Sequence, residues 1–139
     1  LGKLRQDTHF DIIFTSDLVR AIDSAKLAFP NYKHIKDLRL RECNYGDLDG
    51  ADKAKIIYEE HINKPFPNGE SLKDVERRIK DFIDFLNKNY QGKSIGIMAH
   101  RAPQLAFEVL TKNISWEEAI KNDWRKTKDW KPGWEYMIK

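Results

Sequence analysis

Two short apolar runs, each closed by polar residues and followed by a helical pattern, constrain this chain most. The first, Phe10-Asp11-Ile12-Ile13-Phe14-Thr15, is rich in β-branched and aromatic residues and predicts a buried strand. Ser16 or Asp17 offers a helix N-cap, and Leu18, Ala21, Ile22, Ala25 and Phe29 follow at helical spacing until Pro30 and Asn31 stop the helix. The second run, Ser94-Ile95-Gly96-Ile97-Met98-Ala99 within Lys93 to His100, predicts another buried strand. Pro103 suits the first turn of the helix that Leu105, Phe107, Val109 and Leu110 continue. Between the two units, Ser71-Leu72-Lys73-Asp74 resembles a capping box. Leu72, Val75, Ile79, Phe82, Ile83 and Leu86 then form one apolar stripe, so a helix is expected from Ser71 to about Asn89.

Strands alternating with amphipathic helices indicate an α/β layer fold with a mainly parallel sheet. In such sheets ligands sit at the carboxyl ends of the strands. Two features stand there: Ser16 to Arg20 after the first strand, and His100-Arg101 after the second. Ile35 to Arg41 alternates apolar and charged residues and predicts a strand running into a loop. Asn44 to Gly50 and Lys64 to Gly69 carry loop chemistry, with a short helix expected from Ala51 to His61. The tail from Ser115 holds all four tryptophans, and Trp134 to Ile138 reads as a closing strand. No linker or repeat interrupts the 139 residues, so one domain over 1–139 is expected.

The balance of 25 Lys and Arg against 22 Asp and Glu leaves a formal charge of +3, spread along the chain, which does not point to nucleic acid. No apolar run is long enough to cross a bilayer, and no stretch has the form of a secretory signal, so no membrane partner and a cytoplasmic location are expected. The single cysteine, Cys43, excludes an internal disulfide framework and a paired-cysteine metal site. With no HExxH and no close His pair, no metal or other cofactor is expected.

Three residues can carry chemistry. Arg20 stands on the first turns of a helix after a strand, where a helix N-terminus favours an anion and a guanidinium forks onto phosphate oxygens. The alternative is a solvated helix arginine in a surface ion pair. Glu42 precedes a Gly-containing loop and is either a proton donor or one surface carboxylate among many. His100 ends an apolar strand before a polar loop and is either a site residue or a core histidine with one hydrogen bond. His9, His34 and His61 read as structural or solvated, and Cys43 as an inert thiol.

Taken together and in order, four stretches resemble the histidine phosphatase superfamily, the phosphoglycerate mutase-like group. Phe10 to Ala21 looks like the family's strand and "SSDLxRAxxTA" helix start. Leu40-Arg41-Glu42 with Tyr45-Gly46 and Asp49-Gly50 looks like its "LxExxxGxxxG" loop. Pro67-Asn68-Gly69-Glu70-Ser71 with Arg78 looks like its "PxGES…R" segment, and Ile95 to His100 like its second histidine strand. The resemblance implies a three-layer α/β/α fold. It makes Arg20 a phosphate-binding arginine, Glu42 the proton donor to the leaving group and His100 the histidine that bonds the transferring phosphoryl group, with the Arg101 N–H adding a contact. It implies a phosphomonoester phosphatase acting on a small phosphate ester without a metal.

Two departures shape the expectation. His100-Arg101-Ala102 stands where many members have His-Gly-Gly, so Arg101 would crowd or charge the pocket mouth. The family's phosphorylated histidine lies in an Arg-His-Gly segment on the first strand, and this chain contains no Arg-His-Gly. That segment is expected upstream of Leu1, leaving the domain N-terminally incomplete and these residues inactive alone. The two predicted strands, Asp11–Ser16 and Ser94–His100, should then flank a gap, which a homodimer could cover. The competing functions are a phosphate-ester-binding or assembly module without turnover, and a phosphoglycerate mutase.

Overall fold

The computed structural model describes residues 10–50 and 55–123. Its centre is a parallel sheet of three strands, β1 (Ile12–Thr15), β2 (His34–Lys36) and β3 (Ile95–Met98), in the order β2-β1-β3. Helix α1 (Val19–Ala28) follows β1, α2 (Leu72–Asn89) precedes β3, and α3 (Arg101–Lys112) and α4 (Trp116–Lys121) follow it. Alternation along β1 sends Ile13 and Phe14 to opposite faces. Ile13 packs with Ala28 and Phe29 beside α1. Phe14 enters the main core with Ile79 and Phe82 of α2, Leu105 and Phe107 of α3 and Trp116 of α4. Helices on both faces of the sheet make the expected three layers.

Local chemistry explains the elements. Helix α2 starts at a complete capping box: the Ser71 hydroxyl accepts from the Asp74 N–H, and the Asp74 carboxylate accepts from the Ser71 N–H. Its buried stripe is Leu72, Val75, Ile79, Phe82 and Leu86, as the periodicity requires. Helix α3 ends at Asn113, which takes the left-handed conformation at φ 54°.

Several expectations need correction. The anticipated gap between the two buried strands is filled, because β1 and β3 pair directly, Ile12 opposite Ile95 through Thr15 opposite Met98. Strand β3 is only half-buried at Ile95, Ile97 and Met98, since among the described residues it pairs on one side alone. Neither Ser16 nor Asp17 is the N-cap of α1. Leu18 holds that position without a side-chain cap bond, while Ser16 Oγ accepts from the Leu18 N–H at 3.2 Å in a turn of its own. Finally, β2 stops at Lys36: the Asp37 carboxylate accepts from the Arg39 N–H at 2.9 Å and turns the chain into a 3-10 helix, Leu38–Leu40. Where a short helix is expected from Ala51 to His61, the described part is 3-10 at Lys55 and over Tyr58–His61, and the segment from Trp134 lies outside the described residues.

Candidate functional site

The carboxyl ends of β1 and β3 open into a cavity of about 320 Å³ lined by Arg20, Ala21, Ser24, Glu42, Met98, Ala99, His100 and Arg101. All three residues singled out for chemistry meet there. Arg20 is exposed in the first turn of α1 and has no hydrogen bond or ion pair among the described residues. His100 leaves β3 as the N-cap of α3, half-buried, with Nε2 at 3.0 Å from Ser16 Oγ. Burial holds the His100 imidazole below its ordinary pKa; the Glu42 charge opposes this and the charges of Arg20 and Arg78 reinforce it.

Glu42 is fixed by backbone. Its Oε1 accepts from the Cys43 N–H at 2.8 Å and, across 60 positions of sequence, from the Ala102 N–H of α3 at 3.0 Å. The carboxylate therefore sits against the first turn of α3, where the helix dipole favours negative charge, and its Oε2 has no partner among the described residues.

The loop that presents Glu42 is held from behind by Arg78 of α2. This guanidinium donates to the carbonyls of Arg39 and Arg41 at 2.7 Å each and of Glu42 at 3.0 Å. It also forks onto Glu70 at 3.0 and 2.9 Å, which uses all its N–H groups. Glu70 in turn accepts from the Asn44 N–H at 2.9 Å. Two glycine loops cross here backbone to backbone: Asp47 N–H donates to Pro67 O and Glu70 N–H to Asn44 O, each at 2.8 Å. A Cβ at Gly69 would stand 2.3 Å from Asn44 O, so only glycine permits the crossing.

Arg101 does not leave its charge loose at the mouth. Its Nε donates to Asp123 at 2.8 Å, and the guanidinium lies 4.2 Å over the Tyr58 ring. The Asp123 side chain is fully buried, so this pair fixes the Arg101 stem against the wall. Tyr58 is bonded in turn to Tyr45 at 2.5 Å between hydroxyls. Cys43 is buried, and burial with the Glu70 and Glu42 charges pushes its thiol pKa up, consistent with an inert thiol. His34 bonds Phe29 O at 2.9 Å, and His61 stacks on Phe66 and bonds Lys64 O at 3.0 Å, so both are structural. His9 lies outside the described residues.

Sequence reasoning missed Ser16 as a partner of His100, the roles of Arg78 and Glu70, and Asp123. Ser16 carried a signal, a small polar residue at a strand end, but one that a helix cap explains equally well. Glu70 and Arg78 stood only in the segment that resembles the family, with no role assigned, and the contacts of Arg78 to the loop after β2 and of Asp123 to Arg101 cross 22 to 39 positions of sequence.

A chain that places an arginine, a carboxylate and a histidine in one cavity at parallel strand ends has relatives. A family model described as the histidine phosphatase superfamily, branch 1, matches residues 1–131. A 2,3-bisphosphoglycerate-dependent phosphoglycerate mutase of Methylocella silvestris is 34% identical over 108 residues, covering 66% of this chain and 52% of the relative. The fructose-2,6-bisphosphatase TIGAR of Xenopus tropicalis is 33% identical over 98 residues, covering 62% of this chain and 36% of that one. The chain thus spans only about half, or less, of these relatives' lengths. Among solved structures, the alpha-ribazole phosphatase from Shigella flexneri superposes with a TM-score of 0.69 at 22% identity, covering 86% of this chain and 65% of that one. On the match of its family model over nearly its whole length, this chain belongs to the histidine phosphatase superfamily.

Proposed function

We propose that this chain forms the phosphate-binding and proton-donating part of a phosphomonoester phosphatase that works through a phosphohistidine. The convergence of Arg20, Glu42 and His100 on one cavity at the ends of β1 and β3 carries the reading. Arg20 supplies an unengaged fork of donors for the phosphoryl oxygens, and His100 a ring that bonds a third oxygen. The Arg101 N–H, the one backbone donor in the first turn of α3 without a partner among the described residues, adds a contact that favours an anion. Glu42, with one oxygen tied to backbone, presents the other to the leaving oxygen as its acid. The nucleophilic histidine is supplied from outside these 139 residues, which contain no Arg-His-Gly. On their own, therefore, they bind phosphate esters without turning them over.

A mutase is the second reading, favoured by the name of the Methylocella silvestris relative. Against it stands the shortness of Ala51 to Phe66, the one stretch that could hold a sugar phosphate; its described part, 55–66, is anchored by Tyr58 and Phe66, each 1% exposed.

Calorimetry with inorganic phosphate tests the site. Arg20→Ala and His100→Ala should each weaken binding roughly 10- to 100-fold, the value of about 1.5 to 3 kcal/mol for a charge-assisted bond. Binding that ignores both substitutions would sink the assignment. Turnover of a phosphomonoester by the 139 residues, with a trapped phosphohistidine, would overturn the proposed source of the nucleophile. Phosphoryl transfer that requires a bisphosphate primer would favour the mutase.

A further inference from the structure

We propose that Ser16 is a positioning residue for His100: its hydroxyl donates to Nε2, fixing the neutral imidazole with its proton on Nδ1. The argument is a count of donors. A serine hydroxyl has one proton to give and two lone pairs to accept with. One lone pair of Ser16 takes the Leu18 N–H at 3.2 Å. The residue is fully buried, and His100 Nε2 at 3.0 Å is the only other partner of its hydroxyl among the described residues. Were Nε2 protonated, it would donate to Ser16 Oγ, and the buried hydroxyl proton would have no acceptor. With Nε2 bare, the buried Ser16 hydroxyl both donates and accepts, which is the rule for buried polar atoms, and the Nδ1–H of the half-buried ring is left for the cavity.

The arrangement is held on both sides. The Ser16 N–H donates to Met98 O at 3.0 Å, tying Ser16 to the strand that carries His100, and Thr15 Oγ1 donates to Ser16 O at 2.9 Å. The charges facing the ring come from three other elements: Arg20 on α1, Arg78 on α2 and Glu42 on the loop after β2. Two of the three are cations, which also oppose a second proton on the ring. His100 therefore offers a neutral Nδ1–H donor. That this donor serves a phosphoryl oxygen rests on the proposed phosphate site; which nitrogen carries the proton does not.

Long-range 1H–15N spectra of the 15N-labelled full chain at pH 7.5 read this directly, with His100→Gln to assign the ring. We expect the His100 Nε2 signal in the bare, pyridine-like range and Nδ1 in the protonated range. Ser16→Ala should move the ring toward the Nε2–H form, and Ser16→Thr, which keeps the hydroxyl, should restore the original pattern. A wild-type ring protonated on Nε2 overturns the proposal without any variant, so a misfolded Ser16→Ala cannot rescue it. A ring unchanged in a folded Ser16→Ala also overturns it. Inorganic phosphate should then perturb Nδ1 in the wild type. If the tautomer is as stated and phosphate leaves the ring unmoved, the phosphate site fails and the role of Ser16 stands.

Discussion

His100 carries a pH signature that belongs to the single residue. Its folded-state pKa lies below the usual 6.5, first because the ring is buried and then because Arg20 and Arg78 face it, with Glu42 pulling the other way. Well above pH 6.5 the ring is neutral in both folded and unfolded chains and costs nothing. As pH falls below 6.5 the unfolded chain takes up a proton that the folded ring refuses, so stability is lost until the folded value is passed. Each unit of that difference is worth about 1.4 kcal/mol. Urea unfolding between pH 7.5 and 5 should therefore show a steeper loss in the wild type than in His100→Gln. Asp17 cannot mimic this. The Arg41 guanidinium, bonded at 2.6 and 2.5 Å, holds its carboxyl below an ordinary value of 3.8, so its contribution is lost only in stronger acid. Parallel profiles for the two proteins would show that His100 titrates alike in both states.

At the scale of elements, the loop carrying Glu42 is placed by α2 and by the crossing of two glycine loops, not by the sheet. Arg78 is the joint, with 19% of its side chain exposed and its fork matched to Glu70 and three carbonyls. Lysine keeps the charge but not the planar fork. Arg78→Lys should cost about 2 kcal/mol of unfolding free energy, the value of one lost charged hydrogen bond. A loss below about 0.5 kcal/mol, the noise of surface substitutions, would mean the fork is idle. Gly69→Ala tests the crossing itself. The added Cβ forces Asn44 O away and breaks the Glu70 N–H bond to it, so a fall of about 2 kcal/mol or more is expected in the same denaturation experiment. These elements also show what the sequence makes legible. β1 and α2 are spelled locally, by a β-branched run and by a capping box with an apolar stripe, whereas position alone left Arg20, Glu42 and His100 ambiguous and the family resemblance supplied their roles. Arg78 sits in the run Glu76-Arg77-Arg78, where spacing cannot separate the exposed Arg77 from the half-buried Arg78. Its partners lie 36 to 39 positions away and at Glu70, and only the fold joins them. Direct pairing of β1 with β3 was equally hidden, because a parallel pair 83 residues apart leaves no mark in either strand.

The molecule as a whole ties the pocket to the core through β1. Phe14 stands on β1, which runs into Ser16, and meets Phe82 edge to face at 5.3 Å, while Phe82 also meets Phe107 of α3 at 6.4 Å. Phe82 thus joins the sheet, α2 and α3, and no part of it reaches the cavity. Phe82→Ala should remove about 3–5 kcal/mol by leaving a hole that rigid neighbours cannot fill. Against a typical total of about 5–15 kcal/mol this leaves a marginal fold, yet one whose pocket keeps every side chain it had. Ligand binding provides the separation. Phosphate at about 100 times its dissociation constant adds about 2.7 kcal/mol to any protein that binds it only when folded. Thermal unfolding of Phe82→Ala should therefore recover much of its loss in phosphate, whereas His100→Ala, with an intact core and a damaged pocket, should gain far less at the same phosphate concentration. The reverse result, rescue of His100→Ala and none of Phe82→Ala, would mean that the anion stabilises the molecule somewhere other than at the ends of β1 and β3.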